Sequence, residues 1–452
     1  MPRKLILIVV DGLTPRVLER AVERDETPAL RLLLEHGSYA EATSVFPSLT
    51  PVCMTSIVTG AYPDVHGIPH LVWYDRESGR LVEYGSSFGA VVTAGALRSI
   101  RDTIFEINER HLSRDVVTVY EALEDAGHVA AAVNVTCYRG RTLHRPTVPG
   151  LARPARAPSR FFYYSLFESD VTGAPLAVRN RAAGTVDAYA AAAGRWLVTR
   201  DGFDFMLFYL SDYDFASHAA GPEGAAAALA SSDRAIESLI AAAGGEDEFL
   251  DRYAVLLCSD HGQTPVARAV RLQDALAGVR VRRAGNGARA DVVVTASNRA
   301  GAVYRLDRCR LSVRELAEAL DAEPAVDAVC FLEDGEAVVR RGGDAVRFST
   351  TDGALFDLPD GRARVWSALH TRGAGDVLVS AAPGYEFIDV GGGHHAGGGS
   401  HGSLLEGDSV VPVVGVGIEP RARSIADLQA LVLDHFGVPL PPYARAEAVP
   451  GR

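Results

Sequence analysis

Short apolar runs separated by amphipathic stretches organise this chain. Residues 5–10 (LILIVV), 129–135, 203–210 and 254–258 (AVLLC) are dominated by hydrophobic side chains over strand length. That is the pattern of parallel strands buried on both faces. Helical spacing fills the gaps at 27–36, 113–126, 182–198 and 224–243, with Gly37, Gly127 and Gly244-Gly245 as stops. A further apolar run at 409–417 and a helix at 424–436 follow. This alternation predicts an α/β fold, a doubly wound, mainly parallel sheet with helices on both faces. Residues 69–107 read as irregular, 140–159 as an Arg- and Pro-rich surface segment, and 160–167 (RFFYYSLF) as a strand or pocket wall.

The texture changes between 263 and 370. Short strand-like pieces at 291–295, 302–306, 328–332 and 336–340 flank a helix at 312–320. We read this as a smaller α+β lobe inserted into the core. The expected organisation is therefore a core over 1–262, the lobe over 263–370, and completion of the core over 371–452, with a strand at 376–380 resuming it.

Composition narrows the function. A chain of 452 residues exceeds one minimal core. Its formal net charge of −12 argues against nucleic-acid binding, which relies on basic surface. Lys4 is the only lysine, which excludes a GK[ST] phosphate loop. Five scattered cysteines in apolar runs predict free thiols and no disulfide framework. The run at 5–10 is too short to span a membrane and lacks a signal-peptide pattern, so a cytoplasmic location is expected.

Candidate chemistry lies just past the predicted strands. Asp11 follows the first, Asp214 and His218 the third, and Asp260-His261 the fourth; His401 lies in GGGSHG. In an open α/β sheet, ligands bind at this edge. Asp214 and His218 are four apart, so one helical turn puts them on one face. Gly262 permits the sharp turn that adjacent Asp260 and His261 need to share a ligand. Asp and His without cysteine suit Zn²⁺, with Mn²⁺ or Fe as alternatives. Asp212 competes with Asp214 as a donor, and His394 and His395 compete with His401. A fifth stretch, 46–68 (FPSLTPVCMTSIVTGAYPDVHGI), places Thr50 as N-cap and Pro51 as first residue of a helix ending at Gly60. A helix N-terminus favours an anion.

The order and spacing of these pieces resemble the alkaline phosphatase superfamily, and most closely its type I phosphodiesterase/nucleotide pyrophosphatase branch. The matching segments are LILIVVDG, FPSLTPVCMTSIVTGAYPDVHGI, YLSDYDFASHAAGP, VLLCSDHG and GSHG. The resemblance implies two divalent metal ions, one held by Asp11, Thr50, Asp260 and His261, the other by Asp214, His218 and His401. It implies Thr50 as nucleophile and a phosphothreonine intermediate. Threonine has no adjacent base here and needs a metal to become an alkoxide. Many relatives carry an Asn after the threonine that helps bind a phosphoryl oxygen; Cys53 stands at that place, and a thiol is a weak donor. Oxygen binding then falls to the backbone N–H groups of Val52 and Cys53, to the metals, or to an Arg or Tyr.

The expected substrate is a small phosphate ester, with a nucleotide among the candidates. Trp73, Tyr74, Phe161, Phe162, Tyr163 and Tyr164 could stack on a base; Arg139, Arg141 and Arg145 could meet the extra charge of a monoester. A phosphodiesterase is favoured over a phosphomonoesterase, phosphonate hydrolase or sulfatase on the same site. A non-catalytic metal- or phosphate-binding protein is disfavoured, because Thr50 and the other six donors are all present.

Overall fold

The computed structural model describes residues 2–150, 152–169, 172–173, 185–282, 289–350 and 360–445. Its centre is an eight-stranded sheet in the spatial order Ser38–Thr43, Val410–Val416, Tyr253–Cys258, Lys4–Val10, Phe205–Leu210, Ala130–Val133, Arg160–Tyr163, Phe167–Ser169. The five strands from Tyr253–Cys258 to Arg160–Tyr163 are mutually parallel, Val410–Val416 and Phe167–Ser169 run antiparallel to them, and Ser38–Thr43 pairs antiparallel with Val410–Val416. Lys4–Val10 lies between Phe205–Leu210 and Tyr253–Cys258, with Val9 opposite both Tyr209 and Cys258. This register brings Asp11, Ser211 and Ser259 to one edge.

Burial on both faces explains the continuous apolar runs. Leu5, Leu7 and Val9 enter one hydrophobic layer with the helices Thr50–Thr59, Val119–Asp125 and Asp427–His435. Ile6, Ile8 and Val10 enter the other, against Pro15–Glu23, Pro28–His36, Val186–Thr199 and Ala226–Ala243. The doubly wound expectation holds because side chains alternate across a strand while helices cover both faces.

Several local expectations shift. The helix expected over 113–126 is shorter, Val119–Asp125, because Thr118 and Glu121 form a capping box that fixes its start. The segment expected to be irregular contains a hairpin (Val72–Asp75 with Arg80–Glu83), two short helices (Phe88–Ala94 and Ala96–Arg101) and a wide helical turn over Asp102–His111. The segment expected at the surface pairs Thr142–His144 with Ala155–Ala157 and buries His144. The expected helix start at 182 lies outside the described residues.

A second, antiparallel sheet has the order Val292–Ser297, Ala300–Arg305, Val377–Ala381, Val326–Glu333, Glu336–Arg341, Asp344–Arg347. Val377–Ala381, expected to resume the core, is instead a central strand of this sheet. Its neighbours decide the matter: Val379 sits opposite Gly301 and Val329. One face is covered by the helix Val313–Asp321 through Leu316, Ala317 and Leu320. The other face, with Ala302, Tyr304, Cys330 and Leu378, joins the same apolar layer as Leu5 and Met54.

A buried ion pair ties the two sheets together. Arg299, at the turn between the first two lobe strands, places Nη1 2.8 Å from Asp408 Oδ1, and both side chains are buried. Arg299 also donates to the carbonyls of Tyr385 (3.0 Å) and Ala382 (3.1 Å). Asp408 accepts from the N–H and hydroxyl of Ser403. Removing one partner strands the other charge in the interior. Asp408→Ala is expected to cost about 3–5 kcal/mol in urea unfolding.

His66 is a neutral structural member of the 46–68 stretch. Its Nδ1 accepts from the Ile68 N–H (3.1 Å), so Nε2 carries the proton and donates to Ser56 Oγ (3.1 Å). Burial lowers its pKa from 6.5 to about 3. The unfolded chain therefore binds the proton first. The stabilising contribution is complete above the unfolded value and falls as pH drops from 6.5 towards 3. His66→Asn should flatten the fall in the urea midpoint as pH is lowered through this window; an unchanged slope would refute the assignment.

Candidate active site

The parallel strands deliver their following residues to one point. Asp11 follows Lys4–Val10, Asp214 lies in the helix Asp212–Ala220 after Phe205–Leu210, and Asp260-His261 follows Tyr253–Cys258. Gly12 makes the first turn possible. Its φ is +74°, and a Cβ there would lie 2.9 Å from Asp214 Oδ1. Gly262 fits as closely, since a Cβ would lie 2.2 Å from the Gly407 carbonyl oxygen.

All seven residues singled out from the sequence converge. His261 Nε2 lies 3.4 Å from Asp11 Oδ1, 3.4 Å from Asp260 Oδ2 and 3.1 Å from Thr50 Oγ1. Asp214 Oδ2 lies 3.2 Å from His218 Nε2, and its Oδ1 is 3.9 Å from His401 Nε2. The rings of His261 and His401 stack with centroids 3.6 Å apart. Two overlapping donor groups result, Asp11/Asp260/His261 and Asp214/His261/His401, with His218 joined through Asp214. His261 stands between them.

The competing donors are placed elsewhere. Asp212 accepts from the N–H groups of Val186 and Asp187, at the start of the helix Val186–Thr199. His394 is exposed, and His395 bonds Glu386 while stacking on His218 at 4.0 Å. Of the other expectations, Thr50 is not the N-cap. Leu49 holds that place in extended conformation, and Thr50 is the first helical residue. The Thr50 hydroxyl is thereby released from capping and turns to His261. The N–H groups of Val52 and Cys53, expected to hold a phosphoryl oxygen, both donate to the Leu49 carbonyl at 2.9 and 3.0 Å. The N–H of Thr50 itself has no partner among the described residues. The Cys53 thiol is buried 3.2 Å from Ser44 Oγ, and burial, reinforced by Asp260, pushes its pKa well up. It is a core side chain.

Electrostatics show what the group requires. Burial, then the charges of Asp214 and Asp260, push the Asp11 carboxyl well above the usual carboxylate range. Burial raises Asp260 as well. Burial would raise Asp214 too, but His218, with His401 and His261, holds it below its ordinary value. For His218 burial acts downward and Asp214 outweighs it, so its pKa rises. His401 is driven down by burial and by His261. Three buried carboxylates facing one another require positive charge.

The donor set fits divalent cations. Asp11 Oδ1 and Asp260 Oδ2 are buried without a hydrogen-bond partner. Each histidine places Nδ1 against a backbone carbonyl: His218 at Gly399 (2.9 Å), His261 at Gly262 (3.0 Å), His401 at Ser48 (2.8 Å). A carbonyl can only accept, so Nδ1 carries the proton and the Nε2 lone pair faces the site. That is the orientation metal-ligating histidines adopt.

Three participants escaped the sequence reading. Tyr209 donates its hydroxyl to Asp11 Oδ2, Gln263 donates to Asp214 Oδ1 (2.5 Å), and Asn298 of the lobe donates to His401 Nε2 (3.0 Å). Gln263 follows the DHG motif directly, and Tyr209 lies within its strand; those positions were the available signals. Asn298 carried none. Gly12→Ala should cost about 1–2 kcal/mol through its left-handed backbone and displace Asp214. Metal retention measured by atomic emission should drop more than stability.

The sequence profile of the family described as type I phosphodiesterase / nucleotide pyrophosphatase matches residues 5–404. Solved structures share the fold. Phosphonoacetate hydrolase from Sinorhizobium meliloti 1021, in complex with phosphonoformate, is 20% identical, with 96% of each chain covered and a TM-score of 0.62. Murine ectonucleotide pyrophosphatase/phosphodiesterase 5, in complex with AMP, is 14% identical, covering 97% of this chain and 96% of its own, with a TM-score of 0.63. The human counterpart is 15% identical over the same shares, with a TM-score of 0.62. With its sheet edge, its Asp/His clusters and a profile match over nearly the whole length, the chain belongs to the type I phosphodiesterase/nucleotide pyrophosphatase family of phosphoric ester hydrolases.

Proposed function

We propose that this protein is a two-metal phosphodiester hydrolase with Thr50 as its nucleophile. The observation that carries the reading is the position of Thr50 Oγ1, 3.1 Å from His261 Nε2, the nitrogen shared by both donor groups. Asp11, Thr50, Asp260 and His261 would hold one ion, and Asp214, His218 and His401 the other. Two divalent ions, best suited to Zn²⁺ by these ligands, would supply Lewis acidity for the hydroxyl, the leaving group and the incoming water.

The chain's own residues do the rest. Thr50 Oγ1 forms a bond to phosphorus as the bond to one ester oxygen breaks, and an alcohol departs. Water then bonds to phosphorus from the opposite side, the Thr50–phosphorus bond breaks, and the hydroxyl is restored. The N–H of Thr50, without a partner among the described residues and at the positive end of its helix, would bind a non-bridging oxygen through both states. Tyr209 fixes Asp11, and Gln263 fixes Asp214.

One observation favours a diester over a monoester. Of the three arginines expected to meet a second phosphoryl charge, Arg139 bonds Glu121 and Arg141 bonds Glu121 and Asp125, which leaves the exposed Arg145 alone without an ion pair among the described residues. The apolar wall expected to stack on a nucleobase is mostly core. Trp73, Tyr74, Phe161, Phe162 and Tyr163 are buried, while Tyr164 remains 42% exposed. The ligands of the solved neighbours, AMP and phosphonoformate, support a small phosphorus-containing substrate.

The test compares turnover of a bis-aryl phosphate, an aryl phosphate, an aryl sulfate and phosphonoacetate. The bis-aryl phosphate should be fastest; a clear preference for any other would overturn the diester reading. Thr50→Ala should lower turnover by at least about 10³-fold, the scale lost when a catalytic nucleophile is removed. Metal content should remain close to that of the parent. Undiminished activity would remove Thr50 from the mechanism.

A further inference from the structure

The two short helices Phe88–Ala94 and Ala96–Arg101 form a hairpin whose polarity is inverted. Its buried side chains are small, Ala90 and Ser99. Its large apolar side chains face outward: Phe88 is 86% exposed, Val92 54%, Leu97 86% and Ile100 52%. Phe88 and Val92 are four apart, and Leu97 and Ile100 three apart, so each pair shares one helix face. Among the described residues, four of the nine large apolar side chains that are exposed belong to this hairpin. An outward apolar patch this concentrated marks an interaction surface.

Charge identifies what covers it. Residues 84–101 contain no Asp or Glu in a chain of net charge −12, and carry Arg98 and Arg101, of which Arg101 pairs with Glu106 at 2.6 Å. Arg98 also lines a cleft of about 1120 Å³ under the hairpin, with Arg271 and Arg282. None of these three forms an ion pair among the described residues; Arg282 donates to neutral partners, the Tyr74 hydroxyl (2.7 Å) and the Gly79 carbonyl (2.8 Å). Asp274 and Asp389 share the cleft, and Asp389 is held by the N–H groups of Gly391 and Gly393. Apolar tips flanked by unneutralised arginines match an anionic lipid surface.

We infer that the Phe88–Arg101 hairpin docks the protein on anionic phospholipid surfaces. Phe88, Val92, Leu97 and Ile100 enter the acyl boundary, and Arg98, Arg271 and Arg282 meet the headgroups. A glycine-rich loop runs from the hairpin towards the candidate active site. Gly89 packs on the backbone of Gly391, and the same glycine-rich loop continues to His395, which stacks on His218.

The test is co-sedimentation of the full chain with vesicles of phosphatidylcholine alone or mixed equally with phosphatidylglycerol. Binding to the anionic vesicles should exceed binding to neutral ones by about tenfold and weaken with added salt. The double variant Phe88→Ser/Leu97→Ser should lose vesicle binding while its turnover of a soluble aryl phosphodiester is unchanged, which also shows that it folds. Failure of the parent to sediment, or equal sedimentation of the variant, would overturn the inference. So would a parent dimer in sedimentation velocity that the double substitution dissociates without any vesicle binding, which would make this face a contact between copies.

Discussion

The structure depends on keeping three carboxylates buried at one point. Asp11, Asp214 and Asp260 meet at the ends of three adjacent parallel strands, in a place where solvent cannot screen them. Asp214 is stabilised by imidazoles, whereas Asp11 and Asp260 are pushed upward by burial and retain unpartnered oxygens. Such a cluster is costly unless positive charge is present. His218 answers part of that need beside Asp214, and all three histidines have Nδ1 pinned by backbone carbonyls and Nε2 turned inward. The remaining demand is what makes the site a cation site.

Everything nearby serves to hold that geometry. The register of Lys4–Val10 against its two neighbours fixes where Asp11, Ser211 and Ser259 emerge. Close-packed glycines let the turns approach without a side chain between them. The lobe is part of the same construction. Asn298 reaches His401, the N–H of Arg299 donates to the His401 carbonyl at 2.8 Å, and the Arg299–Asp408 pair locks that turn to the core. A lobe that seems from its texture to be an appendage therefore supplies a wall of the site.

The hairpin Phe88–Arg101 departs from the rule that governs the rest of the chain. In the two layers of the central sheet large apolar side chains lie inside. Here the small residues face the protein and the large ones face outward, beside Arg98, Arg271 and Arg282, which form no ion pair among the described residues. Stability alone gives no reason for that arrangement, and a binding surface does.

Much was legible in the sequence, for a physical reason. Strands buried on both faces must be apolar throughout, so they stand out, and polar residues just beyond them are confined to the sheet edge. That logic determined the α/β fold and pointed to Asp11, Asp214, His218, Asp260, His261 and His401 as donors, with Thr50 at a helix start. Side-chain direction and long-range contact were not encoded in any local pattern. Only the tertiary structure decided that Asp212 caps a helix while Asp214 enters the site, and that His395 rests on His218 while His401 faces His261. It decided that Leu49, not Thr50, is the N-cap, and that Cys53 belongs to the core. It also drew Val377–Ala381 into the lobe and brought Tyr209, Gln263 and Asn298 to the donors. These outcomes depend on which residues distant in sequence come to lie against one another, and a run of letters does not carry that information.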